Sequence, residues 1–126
     1  TASCDDGNPC TSGNVCGGGV CGSLISAPPE TGSLVAAADK TTYSWSPAAF
    51  ATQYDVVRGK VAELPVGPGV MDERCFPNLP GTSLTDASVP ASDTCFWYLS
   101  RGENACGNGS LGQQSNGSPR ITTTCP

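Results

Sequence analysis

From residue 32 onward, apolar and polar positions alternate with a period of two, in short runs divided by turn residues. SLVAA (33–37) is the first candidate strand. TTYSWSP (41–47) follows and sets Tyr43 and Trp45 on one face. TQYDVVRGKV (52–61) sets Tyr54 and Val56 on one face, and SLTD (83–86) is a short strand. TCFWYLSRGENA (94–105) is the longest run, with Phe96 and Tyr98 on one face and Cys95, Trp97 and Leu99 on the other. A last strand is expected within RITTTC (120–125). Ser46-Pro47, Gly67-Pro68-Gly69, Pro80-Gly81, Asn108-Gly109 and Asn116-Gly117 supply the breaks, and the Gly- and Pro-rich stretch 64–73 reads as a loop. No segment keeps a 3.6-residue apolar period. The pattern predicts an all-β sandwich or barrel.

The pattern stops at the other end of the chain. Residues 1–23, TASCDDGNPCTSGNVCGGGVCGS, hold four cysteines and six glycines and almost nothing apolar. Such a segment cannot build a core, so its order must come from crosslinks, and it reads as a small disulfide-stapled knot. Three pairings of Cys4, Cys10, Cys16 and Cys21 are open. The interleaved one, Cys4–Cys16 with Cys10–Cys21, is expected, each closed loop stabilising by roughly 2–3 kcal/mol. Residues 24–31, LISAPPET, read as an extended linker stiffened by two prolines. The organisation is therefore 1–23 knot, 24–31 linker and 32–126 sandwich.

Composition narrows the function. Only 37% of the 126 residues are hydrophobic, so the core is modest and the eight cysteines matter. An even cysteine count with one Met and no His fits an oxidising compartment, outside the cell after removal of a signal sequence. No Cys-x2-Cys pair and no histidine support a zinc site. A net charge of −5 with scattered Lys and Arg argues against nucleic acid. No apolar run approaches the roughly 18–20 residues of a membrane span.

Several residues taken together resemble a fibronectin type III domain. They are Trp45 before Ser46-Pro47, Tyr54-Asp55-Val56-Val57-Arg58-Gly59, Leu84-Thr85-Asp86, and Phe96-Trp97-Tyr98-Leu99-Ser100-Arg101-Gly102-Glu103-Asn104-Ala105-Cys106-Gly107. The likeness covers about two thirds of the chain. It is similar to the disulfide-bearing version in secreted proteins of environmental bacteria, and CDDGNPCT resembles a short Cys-rich repeat of such proteins. The resemblance implies a seven-stranded fibronectin III/immunoglobulin-like sandwich and a spacer, adhesive or assembly role. It implies core positions at Trp45, Tyr54, Val56, Phe96 and Tyr98. Ser100 and Gly102 depart from the apolar pair usual in the sixth strand, which leaves that face thin. No Arg-Gly-Asp is present to support integrin binding.

The remaining candidate chemistry is sparse. Cys75, Cys95, Cys106 and Cys125 are expected as Cys75–Cys95 and Cys106–Cys125, with Cys95–Cys125 and Cys75–Cys106 the alternative. Asp5, Asp6 and Asn8 offer oxygens to Ca²⁺, against the plainer expectation of a solvated Asx-rich turn. Asp72 and Glu73 are adjacent carboxylates in a loop and read as solvated surface. Without histidine no Ser-His-Asp or Cys-His arrangement exists, and neither Lys40 nor Lys60 is marked as buried, so no enzyme is expected. Trp97 and Tyr98 are a weak candidate for a sugar platform beside their expected packing role. Asn108-Gly109-Ser110 matches the N-glycosylation pattern, which leaves a glycan open. The expected function is a non-enzymatic extracellular module that assembles into a homopolymer or filament. The alternatives are a carbohydrate- or surface-binding adhesion module of a larger secreted protein and, more weakly, an inhibitor presenting the loop 64–73.

Overall fold

The computed structural model describes residues 7, 10–17, 20–24, 26–66 and 72–125, with 11–17 and 20–24 described as backbone. Strands β1 (Thr11–Gly17) and β2 (Val20–Leu24) form an antiparallel hairpin. The seven strands that follow make two antiparallel sheets, which stack as an immunoglobulin-like sandwich. One sheet holds β3 (Gly32–Ala36), β4 (Thr42–Ser46) and β7 (Ser83–Thr85) in the order β3-β4-β7. The other holds β5 (Gln53–Lys60), β6 (Arg74–Leu79), β8 (Phe96–Asn104) and β9 (Gly107–Asn108) in the order β6-β5-β8-β9.

The alternation read from the sequence sets the core. Trp45, Tyr54, Val56 and Leu84 meet between the sheets with Ala48, and Leu34, Phe76, Leu79 and Tyr98 pack around them. Tyr54 lies edge-on to Trp45, with ring centres 5.7 Å apart. Strand β5 is buried on both faces, because Val57 belongs to a second apolar cluster on the outer side. There Val57, Leu111 and the Cys75–Cys125 disulfide pack with Trp97 and Leu99. The chain after β9 runs over this outer face to Cys125, which is only 2% exposed.

That path corrects two expectations. No strand forms at 120–125. Cys125 is drawn across to Cys75 on β6, its carbonyl accepts a hydrogen bond from Arg101, and Thr122 and Thr124 donate to Glu73. Instead of running the length of β8, the final strand is reduced to two residues paired with Glu103 and Asn104. Strand β6 was not expected because Pro77 interrupts its pattern, yet β6 is a sheet edge, where a missing N–H costs nothing to the ladder.

The cysteine pairings are also corrected. Cys10 bridges Cys106 and Cys75 bridges Cys125, while Cys95 is a free, exposed thiol. Cys10–Cys21, Cys75–Cys95, Cys106–Cys125 and the alternative set therefore do not form. The physical reason is register: Cys95 precedes β8 by one residue, remote from β6, where Cys75 sits across β5. Cys4 lies outside the described residues, and the side chains of Cys16 and Cys21 do too. The head contains a hairpin tied by Cys10 to the β8–β9 turn.

Residues 26–31 are no free linker. Pro28 is buried, and the Asn104 side-chain amide donates to the Ser26 carbonyl (3.0 Å). The Thr31 hydroxyl donates to the Ser100 carbonyl (2.9 Å) and shares a 2.6 Å hydrogen bond with the Ser100 hydroxyl. The small residues of β8 make this possible. A Cβ on Gly102 would lie 2.8 Å from the Cβ of Ala51 and 3.1 Å from that of Pro28. The thin face seen in the sequence is where this segment packs. Gly102→Val is expected to cost about 1–3 kcal/mol by overpacking, read as a lower midpoint in urea.

Candidate functional site: an open groove between the sheets

Because β9 covers only Glu103 and Asn104, the rest of β8 has one side without a strand partner among the described residues. Gly109 N–H donates to the Gly102 carbonyl, and Thr31 takes the Ser100 carbonyl. By the period of two, the backbone groups of Tyr98 and Phe96 face the same side, and among the described residues no strand pairs with them there. Strand β3 is the facing edge of the other sheet, and its outer side likewise has no strand partner among the described residues.

Between these two edges lies a groove of about 660 Å³. Leu34, Ala36 and Tyr43 line it from one sheet, and Phe96 and Tyr98 from the other. Val89, 86% exposed, stands at its margin with the Cys95 thiol. Tyr43 stacks on Tyr98 at 4.0 Å, and Phe96 meets Tyr98 edge-on at 6.4 Å. Lys40 also lines the groove, on a turn closed by Asp39, whose carboxylate accepts the Thr41 and Thr42 N–H groups (2.9 Å each). Those hydrogen bonds hold the Asp39 carboxyl at about 2.

Behind the groove lies an ion pair that contacts two of its lining rings, Phe96 and Tyr98. Arg58 Nη1 lies 2.7 Å from Asp86 Oδ2, both side chains being largely buried. The guanidinium also sits over the Phe96 ring at 4.4 Å and the Phe76 ring at 5.8 Å, where ring faces favour a cation. Tyr98 donates to the same Asp86 oxygen at 3.0 Å. Burial pushes the Asp86 carboxyl up, but hydrogen bonds from Ser88, Arg58 and Tyr98 outweigh it and leave the group at about 2. Tyr98 is pushed up by burial first, then by its hydrogen bonds with Tyr43 and Asp86. Asp86 therefore stabilises the fold fully above its unfolded value near 3.8, and that contribution is lost as pH falls toward 2. Asp86→Asn should flatten this acid limb of a stability–pH curve and lower stability at neutral pH.

The other residues singled out from sequence have structural posts. Trp97 and Tyr98 point to opposite faces of β8, so they form no common sugar platform. The Trp97 indole donates to the Lys60 carbonyl (3.1 Å) and its ring covers Gly59. Phe96 is half-buried at the groove, whereas Trp45, Tyr54 and Val56 are core as expected. Asp72 accepts the Lys60 N–H and Glu73 accepts Thr122 and Thr124, so both carboxylates fasten chain segments where solvated surface was expected. Asn108, with its amide turned to suit its neighbours, donates to Glu103 (3.2 Å) and accepts from Arg101 (3.3 Å). Asp5, Asp6 and Asn8 lie outside the described residues, as does part of the loop 64–73. Among the described residues no three His, Cys, Asp or Glu side chains gather as a metal would need. No helix among them is long and apolar enough to cross a membrane.

Sequence reasoning missed the groove itself. Its one signal was the glycine-containing stretch after Cys106, where the final strand ends early. Comparison with family models, curated proteins and solved structures gives no match.

Proposed function

We propose that the chain is a non-enzymatic, extracellular structural module, similar to a fibronectin type III domain, that polymerises by strand addition. The observation that carries this reading is the open edge of β8 beside an apolar groove. An extended segment from another copy satisfies the backbone groups of Phe96 and Tyr98 and covers the half-buried rings of the groove in one step. Two disulfides among the described residues and an ion pair behind the groove suit a passive module held outside the cell. The absence of histidine leaves no triad base for acyl transfer.

Negative-stain electron microscopy of the purified chain tests this. The wild type should form strings of a regular repeat. Ala36→Arg places a charge in the groove at an exposed position of β3 and should leave dispersed monomers with unchanged thermal stability. Dispersed particles from the wild type under all assembly conditions would sink the reading. Strings that dissolve on adding soluble glycans would favour the carbohydrate-binding alternative.

A further inference from the structure

We infer that the groove between β3 and β8 receives the segment around Cys4 of a second copy, and that a Cys4–Cys95 disulfide between the two chains locks it there. The inference rests on the assembly reading above and names its partner.

The first argument is cysteine arithmetic. Of eight cysteines, four are spent in Cys10–Cys106 and Cys75–Cys125, and Cys95 is a free thiol at the groove margin. Three remain, Cys4, Cys16 and Cys21, and three cysteines close one bridge among themselves at most. The β1–β2 register sets the Cα of Cys16 directly opposite that of Cys21. Facing positions of an antiparallel pair have Cα atoms about 4.5–5.5 Å apart, within the span of a disulfide. A bridge there leaves Cys4 and Cys95, one on the head and one on the body. A leftover thiol in an oxidising compartment points to pairing between molecules.

The second argument is charge. The only charged residues in 1–23 are Asp5 and Asp6, and all six Lys and Arg lie at residue 40 or beyond. Lys40 lines the groove, and its ammonium makes no ion pair among the described residues. Asp39 beside it is engaged by its own turn. Asp5 and Asp6 follow Cys4 within about 7 Å of chain, so a bridge at Cys95 brings them to the groove that holds Lys40. The third argument is the β8 edge, which offers the backbone ladder an entering segment needs.

The closure is a thiol–disulfide exchange with a small-molecule disulfide such as oxidised glutathione. The Cys95 thiolate attacks one sulfur of that disulfide and expels a thiolate. The Cys4 thiolate of the second chain then attacks the Cys95 sulfur and expels the other half. One S–S bond is lost and one is formed; the two protein thiols give up two protons and two electrons, and the small disulfide leaves as two thiols.

The test mixes ¹⁵N-labelled and unlabelled full-length chain in a glutathione redox buffer, followed by non-reducing electrophoresis and proteolytic mass mapping. The expected result is a ladder of covalent oligomers and a Cys4–Cys95 peptide pair that includes mixed-isotope species. Cys95→Ser should abolish the ladder while keeping the Cys10–Cys106 and Cys75–Cys125 peptides. Lys40→Glu should slow ladder growth roughly tenfold at low salt. A Cys4–Cys95 peptide of single-isotope mass alone, which means closure within one chain, overturns the inference. So does a wild-type Cys95 that stays alkylatable in the oxidised product. Electron microscopy separates the two readings. Strings without the bridge keep the assembly and remove the lock, whereas bridged dimers without strings keep the lock and remove the polymer.

Discussion

Replacing Cys75 and Cys125 together by serine is expected to lower the unfolding free energy by about 4 kcal/mol, the chain-entropy value for a closed loop of roughly 50 residues. The bridge joins β6 to the end of the tail, 50 residues apart in sequence, and its sulfurs sit in the outer apolar cluster with Val57 and Leu111. Without it, the tail keeps Leu111 and the Thr122 and Thr124 hydrogen bonds to Glu73. Those contacts are weak when taken alone, so the tail should lift from the sheet and expose Trp97. The measurement is urea unfolding followed by tryptophan fluorescence, with hydrogen exchange on Leu99 and Arg101. A loss below about 1 kcal/mol, far under the entropic expectation, would mean that hydrogen bonds and burial hold the tail by themselves. Because the two serines replace a buried disulfide, Cys75→Ala with Cys125→Ala serves as the control that introduces no hydroxyl.

Asp55→Asn should be comparably severe, at about 3–5 kcal/mol. Asp55 is 2% exposed, and one of its oxygens accepts two hydrogen bonds from Arg101, at 3.0 and 2.8 Å. Its other oxygen accepts the Asn78 N–H at 3.1 Å. The amide keeps the shape and loses the charge, which leaves a buried guanidinium facing a neutral partner. The double change Asp55→Leu with Arg101→Met removes both charges and should recover much of the loss. A neighbouring group gives an independent readout. Glu103 is held above its ordinary carboxyl value by burial and then by the charge of Asp55, so its titration should move down in Asp55→Asn. In the wild type the sign is the reverse of Asp86. Glu103 favours the fold while protonated, and that contribution is lost as pH rises through its raised folded value.

Much of the sandwich was legible because its strands alternate. Trp45, Tyr54 and Val56 announce an inner face by spacing alone, and β3, β4, β5, β7 and β8 fall within a residue or two of where the period of two places them. Strand β6 was hidden by Pro77, a residue that a sheet edge accepts and a central strand refuses. The hairpin in the head was hidden for a different reason. Its sequence is rich in Gly and Ser and carries no alternating apolar run that a pattern could reveal. The disulfides were misread because sequence proximity says little about register. Cys10 and Cys106 are 96 residues apart and meet, whereas Cys75 and Cys95 are only 20 apart and do not. The groove was invisible because it arises from a strand that stops early, and the length of β9 depends on where Cys125 pulls the tail.

The Cys10–Cys106 bridge has a mechanical meaning. Tension applied at Cys10 crosses directly to Cys106 just past the end of β8, and tension applied at Cys125 crosses directly to Cys75 on β6. The pull therefore falls across one sheet, from β8 through β5 to β6, and leaves the β3-β4-β7 sheet outside its covalent path. Residues 107–124 stay slack under this load, because Cys125 remains beside Cys75 for as long as β6 keeps its place. A string of such units would resist stretching until β6 is torn from β5.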